Sequence, residues 1–169
     1  MDYPKLTPKV RNISFKEFTR FFAEKPKLDK LSKMLESDLP EYLKKLPQDE
    51  EELKDAVYDL CRQLDPSITR EQLREYYLGV YKIDFVLWDG SVGLEVKLIK
   101  HKSQLQKVLT EVVSHIPAFS NMFLHVIFLF YGIDEAIDNA DEIKKSIEAK
   151  GDNITMLAGD RLRAATFDL

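Results

Sequence analysis

The sequence of 169 residues lacks the features that define several large classes of protein. Its single cysteine, Cys61, excludes an internal disulfide framework and fits a reducing compartment. No stretch reaches the roughly 20 apolar residues that cross a bilayer, and the first residues do not form the apolar run of a secretory signal. Walker loops, glycine-rich dinucleotide turns and zinc-ligand spacings are also missing. We therefore expect a cytoplasmic or otherwise intracellular protein without membrane contact.

Charge is unevenly distributed along the chain. The formal net charge of −4 argues against a general nucleic-acid coating protein. Residues 1–33, however, hold nine Lys or Arg against four Asp or Glu, a net charge of +5. A polyanion responds to such a local field, although solvated helix faces would have the same composition.

Hydrophobic periodicity predicts an α/β protein, in which a β-sheet is flanked by helices. Residues 1–48 form a predicted helical extension, basic at its start, with helices over 14–46 interrupted at Pro26 and Pro40. The second predicted domain, 49–169, begins with a helix over 50–64. Its remaining predicted elements are another turn or two of helix over 67–77, strands over 79–88 and 92–99, a helix over 103–115 ended by Pro117, a buried strand over 123–131, a helix over 134–149 and a strand over 153–158.

Three charged residues stand inside two of the predicted strands. Asp84 lies in the first, and Glu95 and Lys97 lie in the next, after a turn at Asp89-Gly90. Side chains alternate along a strand, so Glu95 and Lys97 share one face. Asp84 can lie across from this pair if the antiparallel register allows.

Two carboxylates on neighbouring strands are typical ligands for Mg²⁺ or Mn²⁺. Such an ion polarises a phosphoryl oxygen and lowers the pKa of bound water. Lys97 could orient that water or offset charge on the phosphate. The pattern therefore favours hydrolysis of a phosphodiester.

The motif Asp84, ten intervening residues, then Glu95-Val96-Lys97 resembles that of the PD-(D/E)xK nuclease superfamily, over about residues 50–132. The resemblance implies a restriction-endonuclease-like αβββαβ core with a mixed central sheet, one strand more than we place. That strand could lie near 76–80, merged with the following one. Ile83 replaces the proline that precedes the aspartate in the family pattern.

The resemblance also implies supporting residues, a substrate and an assembly. Glu52 is the expected helix-borne metal ligand, with Glu51, Asp55 and Glu71 as rivals, and Gln106 is preferred to Gln104 as the glutamine on the helix after the motif. The implied substrate is DNA, with RNA not excluded, and a homodimer is implied by the way superfamily members pair to cut two strands.

Lysines that follow the motif could bind phosphates beside the cut, although they could equally be solvated residues at a helix start. They are Lys100, Lys102 and Lys107.

Two other functions stay open: a catalytically idle nuclease-fold module that binds nucleic acid, and an α/β protein-interaction domain. In the plainest alternative for the motif, Glu95 and Lys97 form a solvated pair on the open face of a hairpin, and Asp84 is a lone surface charge.

Overall fold

A five-stranded mixed sheet, in the order β1-β2-β3-β4-β5, organises the chain. The computed structural model describes residues 25–76, 79–132 and 140–158. The helices are α1 (25–43), α2 (Glu50–Leu64), α3 (Lys102–Met122) and α4 (Ala140–Glu148). The strands are β1 (Thr69–Tyr76), β2 (Gly79–Leu87), β3 (Val92–Ile99), β4 (His125–Gly132) and β5 (Ile154–Ala158). The predicted α/β class is therefore confirmed.

The sheet combines an antiparallel half with a parallel half. Strands β1, β2 and β3 pair antiparallel, whereas β3, β4 and β5 pair parallel. Strand β4 is buried at every position, as predicted for a strand covered on both faces. The hydrophobic core thus fixes the middle of the sheet, where β3 carries Glu95 and Lys97.

The helix predicted within 67–77 is wrong, because Thr69–Tyr76 forms strand β1. Its charged composition favours a solvated helix, but it is also what a strand at the edge of a sheet uses to remain exposed. Two of its arginines cover aromatic rings: Arg70 lies over Tyr58 and Phe85, and Arg74 lies over Phe123. Tertiary contacts outweigh the local helical tendency.

Two prolines do not end helices as predicted. Helix α1 continues through Pro40 to Leu43, after a π-helical turn at Met34–Asp38 that widens the helix before the proline. Helix α3 continues through Pro117 to Met122, because Phe119 is fully buried and packs against Phe123 and Phe128. Of the helix predicted over 134–149, residues 134–139 lie outside the described residues, as do residues 14–24 of the helical extension.

Helix α1 packs into the same core as the sheet. Leu31, Leu35 and Leu39 are buried there, at the helical spacing seen in the sequence. The boundary at residue 48 between two domains stays a prediction. None of the described helices has the length and apolar character needed to cross a membrane.

A buried carboxylate fixes the turn between β2 and β3. Asp89 and Gly90 both have positive φ, and the Ser91 amide donates to the Trp88 carbonyl at 3.2 Å, so the turn has two central residues. Trp88 also has a positive φ of 50°, and its amide donates to Asp65 at 2.6 Å. Asp65 therefore sets the start of the hairpin turn.

We predict that Asp65→Ala lowers the free energy of unfolding by about 1–3 kcal/mol, because the Trp88 amide loses its buried acceptor. Burial raises the pKa of Asp65, but hydrogen bonds from Trp88 and Ser67 outweigh it and lower the pKa. The charge therefore stabilises the fold above the unfolded pKa of about 3.9, and this advantage is lost as pH falls through the lower folded pKa.

Urea unfolding of wild type, Asp65→Ala and Asp65→Asn checks this prediction. The advantage of wild type over Asp65→Asn should shrink below about pH 4. Asp29→Ala is the control, because Asp29 is exposed and its contact among the described residues is a surface ion pair with Lys25. Equal stability of Asp65→Ala and Asp29→Ala would contradict the prediction.

Candidate functional site

The ladder between β2 and β3 ends where Asp84 and Glu95 meet. The last residues paired across the two strands are Phe85 and Leu94, so Asp84 and Glu95 are next in register. Beyond that pair, side chains replace the backbone partners: the Asp84 amide donates to Glu95 Oε1 at 3.1 Å, and the Val96 amide donates to Asp84 Oδ2 at 2.8 Å. Each carboxylate thus binds the opposite strand, and the register brings Asp84 beside Glu95.

Both carboxylates are buried. Asp84 and Glu95 are each 4% exposed, and the side chain of Lys97 is 12% exposed. The alternative of a solvated pair beside a lone surface aspartate is therefore wrong. Burial of charged groups is costly unless they are paired, so the partners of these residues decide what the site can do.

Lys54 of α2 supplies the cation nearest to Asp84. Its Nζ lies 3.1 Å from Asp84 Oδ1, and the residue is 7% exposed. Carboxylate oxygens of Glu51, Glu50 and Glu71 lie 3.6, 3.7 and 4.0 Å from the same nitrogen. Burial opposes the charge of Lys54, but Asp84 and the acidic residues outweigh it and raise the pKa of the ammonium. Lys54 is therefore a charged lysine surrounded by carboxylates.

Lys97 is held by α3 instead. Its Nζ donates to Glu111 Oε1 at 2.9 Å, and this hydrogen bond is the main reason why the pKa of Glu111 is lowered. One turn further along α3, His115 Nδ1 lies 3.9 Å from Glu95 Oε2. Burial lowers the pKa of His115, so the imidazole is neutral at pH 7.

These side chains line one cleft of about 380 Å³. Lys82, two residues before Asp84 on β2, also lines this cleft. The complete lining is Glu50, Lys54, Val80, Tyr81, Lys82, Asp84, Glu95, Lys97, Glu111 and His115. The three motif residues Asp84, Glu95 and Lys97 are thus brought together.

The acidic residue that α2 contributes to the cleft is Glu50. Glu52 instead accepts the Gln48 amide at 2.6 Å, while its own amide donates to the Asp49 side chain at 2.8 Å. Glu52 therefore caps the N-terminus of α2, and this predicted metal ligand does not line the cleft.

Neither glutamine at the start of α3 lines the cleft. Gln104 accepts the amides of Lys100 and His101 at 2.9 and 3.1 Å, which makes it a helix cap. Gln106 is exposed on the second turn of the helix.

The three lysines after the motif lie outside the cleft. Lys100 Nζ donates to the Gln48 carbonyl, and Lys102 and Lys107 are exposed. Lys107 is near enough to Glu111 to contribute to its lowered pKa, so Lys107 is close to a residue that lines the cleft.

Two carboxyls of the cleft, Glu95 and Glu50, have raised pKa values. Burial raises the pKa of Glu95 to about 9, and the charge of Asp84 adds to the effect. Burial also raises the pKa of Glu50, against the opposing influence of Lys97 and Lys54. Desolvation is the main cause in both cases, so this buried site disfavours the negative form of these two carboxyls.

The carboxyl oxygens of Asp84, Glu95 and Glu50 are donors of the kind that Mg²⁺ or Mn²⁺ prefers. The arrangement itself is held by other contacts, since Asp84 faces Lys54. Among residues 25–76, 79–132 and 140–158, no three His, Cys, Asp or Glu side chains converge as a metal site. The donors therefore fit a metal in kind, but their positions are set by Lys54 and by the two backbone amides.

Sequence reasoning missed Glu50, Lys54, Glu111 and the approach of His115 to Glu95. A signal was available in the spacing of these residues. Glu50 and Lys54 are four apart on α2, and Glu111 and His115 are four apart on α3, so each pair shares one helix face. Which face turns toward the sheet depends on tertiary packing, which charge spacing alone does not give.

Comparison of the chain with protein-family models, with curated proteins and with solved structures finds no match in any of the three.

We predict that Glu95→Gln removes a pH-dependent loss of stability in the metal-free protein. A folded pKa of about 9, above the unfolded value of about 4.3, means that the folded state binds more protons between these limits. Stability therefore falls as pH rises through this range, and glutamine, which keeps an oxygen for the Asp84 amide, does not titrate.

Thermal unfolding in a chelator from about pH 6 to about pH 9 checks this prediction. A change of about 1 kcal/mol shifts Tm by about 2–4 °C at this chain length, so the wild-type Tm should fall several degrees relative to Glu95→Gln. Glu142→Gln, at an exposed position on α4, should follow wild type. Parallel curves for wild type and Glu95→Gln would contradict the prediction.

Proposed function

We propose that this chain is a metal-dependent nuclease of the PD-(D/E)xK type that hydrolyses phosphodiester bonds of DNA. The observation that carries the proposal is the buried meeting of Asp84 with Glu95 in a cleft that Lys97 also lines. A buried acid pair beside a lysine is costly for folding, so a role in chemistry is the most economical reason for it.

The order of elements supports the same proposal. From α2 to β4 the chain runs helix, three antiparallel strands, helix, parallel strand. This order matches the αβββαβ order that the resemblance implies. The additional strand would be β1 at Thr69–Tyr76, so its predicted position near 76–80 is wrong. The motif residues lie on the second and third of these strands.

Asp84, Glu95 and Glu50 are the residues that would hold Mg²⁺ or Mn²⁺. The chemistry that this ion supplies when bound is polarisation of a phosphoryl oxygen and of an attacking water. Burial of Asp84 and Glu95 keeps bulk water away from their charges and strengthens their electrostatic effect.

Lys97 would bind the phosphate and stabilise negative charge as it develops there. Burial opposes its charge, but the hydrogen bond to Glu111 and the nearby acidic residues outweigh it and raise the pKa of Lys97. The ammonium is therefore protonated at neutral pH. Glu111 acts as a positioning residue, because it holds the flexible lysine stem toward the cleft.

Exposed lysines near the start of α3 suit the flanking phosphates of a nucleic acid. Lys102 and Lys107 lie within the first two turns of that helix. Their contribution would be electrostatic and independent of sequence. A homodimer that cuts both strands stays a prediction from the resemblance.

We predict that Asp84→Asn, Glu95→Gln and Lys97→Met each abolish DNA cleavage in Mn²⁺ or Mg²⁺. Loss of a group that stabilises transition-state charge costs about 10²–10³ in rate, and a lost metal ligand costs at least as much. The variants preserve side-chain shape, so circular dichroism should show an intact fold. The measurement is a cleavage assay on linear, single-stranded, branched and supercoiled DNA.

The matched controls are Glu142→Gln and Lys145→Met, which remove one charge of each sign from exposed positions on α4. Both should cut as wild type does, and chelation should stop every reaction. Cleavage that survives Lys97→Met at the wild-type rate would contradict the proposal, because it would indicate a contaminating nuclease or another site.

The Lys54–Asp84 ion pair favours one second candidate, a nucleic-acid-binding module without turnover. In such a protein Lys54 would permanently neutralise Asp84, and binding would not need a metal. Fluorescence anisotropy with labelled duplex distinguishes the two. Binding that a chelator leaves unchanged, together with no cleavage of any substrate, would select this candidate.

A further inference from the structure

We infer that the Lys54 ammonium forms an ion pair with the Asp84 carboxylate in place of a divalent metal, and that the metal displaces this ammonium when it binds. This inference rests on the proposed function, since it concerns how the same site takes up its metal. The observation behind it is the distance of 3.1 Å between Lys54 Nζ and Asp84 Oδ1, with both residues buried.

One oxygen cannot serve both cations fully. Asp84 Oδ2 already accepts the Val96 amide, so Oδ1, the oxygen facing Lys54, is the one without a backbone hydrogen bond. A divalent ion at Oδ1 would also be repelled by an ammonium a few ångströms away. Metal entry therefore requires Lys54 to move.

The surroundings of Lys54 give the displaced ammonium a second position. Glu51 and Glu71 lie 3.6 and 4.0 Å from Nζ, and their side chains are 64% and 41% exposed. A lysine has four rotatable side-chain bonds, so its ammonium can move toward solvent and remain paired with these two carboxylates.

The backbone at Glu71 is unusual and contributes to this position. Arg70 pairs with Phe85 and Gln72 with Ile83, so Glu71 stands opposite Asp84 in register, yet no pair is formed there. Glu71 has a φ of 54°, which is uncommon for a residue with a Cβ. The distorted strand thus places a carboxylate near Lys54 at the register position of Asp84.

The test compares Mn²⁺ affinity, measured by isothermal titration calorimetry without DNA, in wild type, Lys54→Met and Lys54→Arg. Removing the competing charge should tighten binding on the order of tenfold to a hundredfold in Lys54→Met. Lys54→Arg keeps the charge and should bind like wild type or more weakly. Lys145→Met is the control for loss of a distant charge, and Lys54→Met combined with Asp84→Asn should lose the gain.

A second measurement uses the wild-type protein alone, so it does not depend on how Lys54→Met folds. Mass spectrometry after brief acetylation reports the reactivity of each lysine. Mn²⁺ should increase acetylation of Lys54, because the amine leaves its buried position, while the exposed Lys145 should react equally with and without metal.

The outcomes separate this inference from the proposed function. Equal Mn²⁺ affinity of wild type and Lys54→Met, with Lys54 reactivity unchanged by Mn²⁺, would overturn the inference even if wild type cuts DNA. Tighter binding by Lys54→Met with no cleavage by any form would support the inference and overturn the nuclease proposal. Lack of Mn²⁺ binding by every form would overturn both.

Discussion

The reciprocal hydrogen bonds between Asp84 and the neighbouring strand are the constraint on which the cleft depends. Where β2 and β3 separate, the Glu95 carboxylate accepts a hydrogen bond from the Asp84 amide, and the Asp84 carboxylate accepts one from the Val96 amide. The strands can therefore separate without leaving these buried backbone groups unpaired. The same hydrogen bonds hold two carboxylates in the protein interior. The other charged side chains of the cleft lie around these two carboxylates.

Two helices bring polar and charged side chains to this acid pair and to the lysine beside it. Helix α2 brings Lys54 to Asp84, while α3 brings Glu111 to Lys97 and His115 toward Glu95. The buried strand β4 pairs with β3 along its whole length and holds the motif strand against this electrostatic strain. A site of this kind needs a strong apolar core, because burial of imperfectly paired charges subtracts from a small net stability.

Local patterns in the sequence predict the parts of the structure that local forces determine. The strands that carry Asp84 and Glu95 follow from β-branched composition and the Asp89-Gly90 turn, and the core strand β4 follows from its apolar run. Strand β1 and the full length of α3 could not be predicted in this way. Arg70 and Arg74 stabilise β1 by covering aromatic rings distant in sequence, and Phe119 carries α3 past Pro117 by packing in the core. The choice of Glu50 over Glu52 depends on how α2 is rotated against the sheet, and Glu52 is already engaged in capping.

The opposite pKa shifts of two glutamates show how the cleft distributes its positive charge. Glu111 accepts a hydrogen bond from Lys97, which lowers the pKa of Glu111. Glu95 is buried beside Asp84, which raises the pKa of Glu95 to about 9. Lys54 likewise faces Asp84. The lysines therefore neutralise the outer acid and the aspartate, and the glutamate between them is left protonated at neutral pH. In the proposed nuclease, a divalent cation near Asp84 and Glu95 would favour the charged carboxylate and release the Glu95 proton, because ligands bind metals in their deprotonated form. Protons and lysines thus compensate the buried carboxyl oxygens of the cleft, and the proposed metal would compete with both.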